Sequence, residues 1–488
     1  MDSTSQHSGA PSGTAACPGL VLGIVSAGVI LVSLDLFIVN VALPPIARDL
    51  GGRSLSGLSW VLNGYAIVYA ALLVLFGRLA DQHNRRTGFL LGVIIFVLAS
   101  AACGAAQSVA MLVVFRVVQA AAAALLTPTS LGLVLATAAP ERRHSAVRAW
   151  TAVGGIGAAL GPVVGGLLVA ASWRWVFLVN VPVGLAALAA GIRWLPDVPG
   201  HPGPRPDAIG AVLVTGGIGA LTLGLVEGRT WGWASGATVT VLVAAVLALV
   251  AFVRRCLRDR NPLVPPALFR VRAFTGAAFV ATVFSVAFGA MLLSIVLWEQ
   301  NAWGWSALAT GAAIAPGPLM VPVFAFLIAG RAIARWGPGP VSAAGATAFA
   351  AGVAWWALAI GLNPDYVGDV LPGMLLSGVG VGLTLPTYMA TAAASLPAPS
   401  FATGSAVVNM LRQIGMAVGV AVLVAVLGST TSPGARLHAF QRGWVIIATL
   451  SLASALVGGV ALPGRRRAPT PAPSPAPAGA PAIAIEAD

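Results

Sequence analysis

The sequence predicts an all-α, polytopic membrane protein: two six-helix halves plus two extra central helices, fourteen spans in all. Three observations point to that fold class. Charged residues make up only 8% of the 488, and the mean hydropathy is +0.92, whereas a soluble chain needs about 25% charge to build its surface. Apolar runs of the length a bilayer demands, about 20 residues, recur along the chain with short connections between them. A set of short motifs also repeats in order between the first and last thirds. A soluble enzyme and a disordered chain are both excluded by this composition.

The elements follow in order. Residues 1–18 are polar and lack the basic start of a cleavable signal, so they read as a cytoplasmic tail and the first apolar run as a retained membrane helix. The N-terminal half, 19–194, holds spans at 19–44, 56–79, 88–106, 109–137, 147–171 and 174–194. A two-helix insertion, 195–253, holds spans at 207–226 and 236–253. The C-terminal half with its preceding loop, 254–462, holds spans at 273–299, 307–330, 339–360, 370–396, 402–428 and 443–462. Residues 463–488 form an Ala/Pro-rich run expected to be a disordered cytoplasmic tail.

Charge sets the expected orientation. All 27 basic residues are Arg. With the N-terminus inside, 19 of the 27 fall in cytoplasmic loops, 6 in outer loops, and 2, Arg116 and Arg412, within spans. That asymmetry predicts both termini on the cytoplasmic side of a bacterial-type cell membrane. It also accounts for a pI near 11.4 without nucleic acid as a partner. Trp60, Trp173, Trp175, Trp231, Trp233, Trp303, Trp305 and Trp444 fall near the expected outer helix ends, where an interfacial belt belongs. The three cysteines form no CxxC, so neither a metal site nor a disulfide framework is expected, and no cofactor.

The internal repeat carries the functional class. Gly77-Arg78-Leu79-Ala80-Asp81 recurs as Gly330-Arg331-Ala332-Ile333-Ala334, Thr127-Pro128-Thr129 as Leu385-Pro386-Thr387, and Ile156 to Gly161 as Ile414 to Gly419, at offsets of 253, 258 and 258. Spans 2, 4 and 5 thus map onto spans 10, 12 and 13. Paired halves of this kind place a substrate cavity between them near the midplane, the plan of a transporter. A channel or passive scaffold has no need of the duplication. No HExxH, GxSxG with its partners, or P-loop is present, so no enzyme and no ATP-driven pump is expected.

Three formal charges lie well inside spans: Asp35, Arg116 and Arg412. A mid-bilayer charge costs about 2.5–3.5 kcal/mol on insertion scales, so each must be paired or face a wet cavity. Asp35 lies ~12 Å from the outer end of its span and Arg116 ~10 Å from the outer end of its own, at 1.5 Å per residue. At matching depth they are able to meet. A neighbouring guanidinium favours the charged carboxylate and desolvation favours the neutral acid, so movement of the helices can change proton occupancy. Asp35 is the expected proton carrier and Arg116 the group that tunes it; the bland alternative is a static ion pair locking two helices. The polar residues Asn40, Asn63, Tyr65, Gln119, Tyr388 and Asn409, with Arg412, are candidates to line the cavity. Glu227 and Glu299 sit at outer span ends, where acids are ordinarily solvated.

These residues resemble the major facilitator superfamily, in its fourteen-helix drug:proton antiporter branch. Leu34 to Pro44 is similar to the branch's "LDxTIVNVALP" signature, with Phe37 where Thr is usual. Gly77 to Arg86 is similar to the "GxLaDrxGrk" loop, departing at Gln82 and Asn84. Arg116 to Ala120 resembles "RxxQG", and Trp173 to Gly184 resembles "WRWIFLINVPIG". Gly157, Gly161, Pro162, Gly165 and Gly166 match the "GxxxGPxxGG" antiporter motif. The resemblance implies proton-coupled efflux of small amphipathic compounds by a monomer, with Asp81, Arg85 and Arg86 at a cytoplasmic gate and the span-5 glycines bending the transport path. Two alternatives stay open: an uptake symporter of the same fold, and an exporter of a self-made secondary metabolite. For the arginines the bland reading is ordinary positive-inside charge, and for the glycines tight packing alone.

Overall fold

Backbone amides in a bilayer have no water to bond, so long apolar runs satisfy them internally as helices. The computed structural model describes residues 18–51, 55–139, 142–200, 206–396, 401–428 and 432–463, and the expected terminal tails lie almost entirely outside these. The described residues form fourteen helices: α1 Pro18–Asp49, α2 Leu55–Gln82, α3 Arg85–Gly104, α4 Val109–Thr137, α5 Arg143–Ala171, α6 Trp175–Trp194, α7 Ala208–Trp231, α8 Gly236–Arg258, α9 Arg272–Asn301, α10 Ala307–Trp336, α11 Pro338–Ala359, α12 Tyr366–Ala394, α13 Phe401–Leu427 and α14 Pro433–Ala461. Thirteen are long and apolar enough to cross a membrane outright, and α5 makes the fourteenth as a pair of helical pieces bent by 41° between Ala158 and Leu160. The bend has a local cause. Pro162 has no N–H for the carbonyl of Ala158, four residues back, and its ring crowds that carbonyl.

The largest departure from the expected boundaries is at the last helix. Helix α14 starts at Pro433, about ten residues before 443, and carries Arg436, His438 and Arg442 on its first turns. Ser432 caps it by accepting from Ala435 N, with Pro433 at the first helical position. Hydropathy alone misses a polar first turn that packing and capping make helical.

The repeat is visible in the packing. Helix α1 packs along α5 as α9 packs along α13; α2 meets α4 as α10 meets α12; α3 meets α6 as α11 meets α14. In the first pair the contact is built on glycine. A Cβ on Gly161 would sit 2.7 Å from Phe37 Cβ, and one on Gly165 would sit 3.0 Å from Ile38 O, so α1 lies directly against the α5 backbone. Gly166 faces the other way, toward Ala307, Leu308 and Gly311 of α10 in the second half. Four of the motif's glycines therefore divide their work: Gly157, Gly161 and Gly165 hold α1, and Gly166 holds the other half.

The halves share one hydrophobic core, which reaches from Leu268 and Phe274 near the arginine-rich face to Trp298 and Trp444 near the opposite end. There Phe37 meets Phe288 with ring centroids 6.1 Å apart, and Gln300 Nε2 donates to Val41 O at 3.0 Å. Toward the arginine-rich face, α1, α2, α3 and α4 close around a separate cluster, including Val25, Phe89, Phe96 and Leu133, that contains no residue of the second half. The two-helix insertion, α7 and α8, packs against itself and lays α7 beside α2 and α13.

That insertion is tied down at the arginine-rich face by Asp207. Its carboxylate accepts from Gly210 N at 2.8 Å, capping α7, from Arg255 Nε at 2.7 Å and from Leu263 N at 3.3 Å. Burial alone would raise this carboxyl, but those donors outweigh it and hold it below the usual carboxylate range. Arg78 of α2 donates to Asn261 O at 3.3 Å and Pro262 O at 2.7 Å, joining the first half to the segment before α9.

Two outcomes are expected. Gly161→Ala lowers thermal stability by about 1–3 kcal/mol through overpacking, while Gly155→Ala, with open space around it, does not lower it; equal losses would refute the close approach of α1 to α5 at Gly161. A depressed carboxyl contributes stability above its unfolded value and loses it as pH falls through the lower folded value. Asp207→Asn is therefore destabilising at neutral pH, and its deficit against wild type shrinks once pH drops below 3.8, checked by thermal unfolding across that range.

Candidate functional site

Five helices converge on one carboxylate near the middle of the first half. Asp35 projects from α1 and is 0% exposed. Arg116, 1% exposed, reaches it from α4 with Nη1 against Oδ2. One turn along α4, Gln119 Nε2 donates to Asp35 Oδ1 at 3.0 Å, and Gln119 Oε1 accepts from Arg116 Nη1 at 2.7 Å. The spacing of three residues puts both side chains on one helix face. Asn180 Nδ2 of α6 completes the set, donating to Oδ1 at 3.2 Å. Ser100 of α3 accepts from Gln119 at 2.8 Å, and Val61 O of α2 accepts from Arg116 Nε at 3.3 Å. The guanidinium carbon lies 4.1 Å from the centre of the Tyr65 ring, a cation–π contact from the side the carboxylate leaves open.

Local sequence explains each position. Asn180 is able to turn inward because α6 is broken at Val179: Pro182 offers no N–H to Leu178 O, and the helix restarts at Asn180. Helix α1 brings Asp35 to the cluster because the α5 glycines let it lie close.

The Asp35 carboxyl is fully buried and accepts from three donors, Arg116, Gln119 and Asn180. Removing the proton acceptor leaves a buried guanidinium uncompensated, the costly half of a buried pair.

The other residues singled out in the sequence fall in three places. Gln119 and Tyr65, expected at the cavity, belong to the Asp35 cluster and are 0% exposed. Asn40 and Asn409 donate to carbonyls of their own helices, Phe37 O and Ser405 O, each at 3.2 Å. Asn63 is buried with neither amide atom partnered, Tyr388 is buried on α12, and Arg412 is half-buried on α13. At the arginine-rich face Arg85 Nη2 meets Asp81 Oδ1 at 3.3 Å on an exposed surface, and Arg86 meets Asp197 at 3.3 Å. Glu227 is half-buried. Glu299 corrects the expectation of a solvated rim acid: it is 0% exposed, where the chain turns back after α9 with Trp305 N bonding Glu299 O at 2.9 Å. Asn180 and Ser100 were not among the expected site residues. The signal for Asn180 lay in the sequence, as a lone amide two residues before a proline in an apolar run.

A helical bundle of two matched halves with a buried ion pair defines a membrane carrier fold, and comparison with known proteins agrees. The profile of the Major Facilitator Superfamily matches residues 25–420, and the chain belongs to that family. It is 36% identical to the tetracenomycin C resistance and export protein of Streptomyces glaucescens over 424 residues, 86% of this chain and 76% of that protein. It is 34% identical to the puromycin resistance protein pur8 of Streptomyces alboniger, over 93% of each chain. It is likewise 34% identical to the multidrug resistance protein Stp of Mycobacterium tuberculosis, over 85% of this chain and 76% of the other. Among solved structures the fold is similar to the POT family transporter PepTSo, with TM-score 0.65 at 16% identity over 91% of this chain and 97% of that one. It is also similar to the human organic anion transporter MFSD10, with TM-score 0.61 at 15% identity over 90% and 99%. The chain is a multi-pass membrane protein.

Asp35→Asn is expected to cost about 3–5 kcal/mol of stability by leaving Arg116 unpaired. The double change Asp35→Asn with Arg116→Gln should recover much of that loss. Thermal unfolding of the purified variants checks it, and a double variant no more stable than the single one would contradict the pairing.

Proposed function

We propose that this protein exports small amphipathic compounds across a bacterial-type plasma membrane by alternating access, driven by inward proton flow. Asp35 carries the proton, and Arg116 sets when it is held. The observation that carries this reading is the closed Asp35 cluster at the centre of a duplicated bundle: a titratable group that only a rearrangement of helices brings into contact with water. The arginine-rich face is taken as cytoplasmic, with both termini there. Asp81, Arg85 and Arg86 form the gate on that face. The working unit is a monomer with lipid, substrate and protons as its only partners, and no cofactor or catalytic step enters the cycle.

The physical cycle has two parts. With the halves joined at the outer end, as here, Asp35 accepts from three donors. Opening of that end breaks the α1–α9 contacts at Phe37 and Val41. Displacement of α1 then loosens the Asp35 donors and lets outside protons in; protonation weakens the hold of Arg116 and favours return of the helices. That the relatives are resistance and export proteins supports efflux over uptake. The tetracenomycin C exporter also supports the narrower reading that the natural cargo is a secondary metabolite made by the same cell.

Cells expressing the protein should accumulate less of a fluorescent drug than control cells, and a protonophore should abolish the difference. Asp35→Asn should be present in the membrane and indistinguishable from the empty control. Export that persists unchanged after the gradient is collapsed would overturn proton coupling.

A further inference from the structure

Arg412 is the charge that the Asp35 cluster leaves unexplained. It sits on α13, deep in the bundle and half-buried. Among the described residues none of the ion pairs includes it, and its buried Nε has no hydrogen-bond partner. The ordinary remedy for a lone membrane arginine is a carbonyl of its own helix. Arg331 takes that remedy with Leu327 O and Arg442 with His438 O, but no such bond is made by Arg412. Next to it Gln413 is 0% exposed, with neither amide atom partnered.

The surroundings place this charge at the seam between the halves. Helix α13 packs against α2 of the first half and α12 of the second. From those helices Tyr69 and Tyr388 come close enough to interact with the guanidinium electrostatically. Tyr69 stacks on Tyr65 at 5.9 Å with the rings 19° apart, and Tyr65 lies under Arg116. The Tyr65–Tyr69 stack thus lies between Arg116 and the side of the bundle that carries Arg412.

The nearby charge balance is one-sided. Asp35 and Arg116 neutralise each other. Glu299 is too far away to help. Gly415 packs on Thr282, and counting along α9 and α13 from that contact separates Glu299 from Arg412 by about 30 Å at 1.5 Å per residue. A guanidinium in this setting, with unpaired donors and flanking aromatic rings, suits a ligand that brings its own anion.

We propose that Arg412 is the counter-charge for the substrate, and that the substrates are aromatic acids: flat ring systems bearing a carboxylate or phenolate. The acid group takes the open donors of Arg412, and the ring lies on the side of Tyr69 and Tyr388. This rests on the export reading for the substrate's fate but concerns binding alone. A cationic drug would meet an unbalanced positive charge here and be disfavoured.

Fluorescein and rhodamine 123 share a ring system but differ in charge, fluorescein being anionic and rhodamine 123 cationic. Binding of each to purified protein in nanodiscs, without a gradient, tests the claim. Wild type should bind fluorescein about tenfold or more tightly than rhodamine 123. Arg412→Gln should remove the preference, Arg412→Lys should keep it, and Arg412→Glu should reverse it. Binding of neither dye by wild type, preference for the cation, or an unchanged preference in Arg412→Gln would overturn the proposal. Gradient-driven uptake into proteoliposomes separates the two readings. Fluorescein binding without driven transport would sink export and leave the anion site standing. Driven transport of rhodamine 123 alone would sink the anion site and leave export standing.

Discussion

A carboxylate and a guanidinium, each ruinous alone in hydrocarbon, are tolerable only together and only if their remaining donors and acceptors are met. Around Asp35 and Arg116 that condition recruits one side chain or carbonyl from each of α2, α3 and α6 in addition to α1 and α4. The pair therefore organises the first half: five helices are positioned by what one acid requires. It also makes those helices interdependent, because none of them moves without exposing or unpairing a charge. A structural ion pair and a switch have the same static appearance. What distinguishes this one is that its acid lies on the helix that also touches the second half, through Phe37 and Val41.

The α5 motif explains how that helix is held. Glycines at 157, 161 and 165 bring α1 against backbone, while Gly166 accepts α10 from the other side. The same short sequence thus grips both halves, and the bend before Pro162 falls within the grip on α1, between Gly157 and Gly161. Close packing and a bent path are consequences of the same residues, so the two readings of the motif are not alternatives. The second half repeats the α1–α5 contact as α9–α13 with Gly415 and Gly419, but without an acid in place of Asp35. Its midplane charge is Arg412 instead. The duplicated scaffold carries an acid–base pair on one side and a lone cation on the other, a division of labour suited to moving a proton and an anion in turn.

Much of this was legible in the sequence. Hydropathy located the spans because the bilayer imposes one length and one composition on each. Asp35 and Arg116 stood out because charges are rare there, and depth counting alone placed them together. What was not legible has physical reasons. Gln119 and Tyr65 looked like cavity residues because polarity on a span does not reveal which neighbour consumes it. Asn180 was hidden in a run read as a helix, since its inward turn depends on a break made by Pro182. Glu299 was taken for a rim acid because a position near a span end says nothing about how the chain beyond it folds back. The first turns of α14 were missed since arginine and histidine there lower hydropathy without preventing a helix. In each case the missing information is a contact between distant segments.

The account stands on Asp35 changing its protonation as the helices rearrange. Infrared titration of the protein in nanodiscs observes that directly, by following the carboxylic-acid band that wild type has and Asp35→Asn lacks. The account predicts a band assigned to Asp35 that grows as the medium is acidified and is altered when a transported compound binds. An Asp35 that stays a carboxylate at every pH the folded protein tolerates, with or without such a compound, would reduce the pair to a fixed strut and contradict the mechanism.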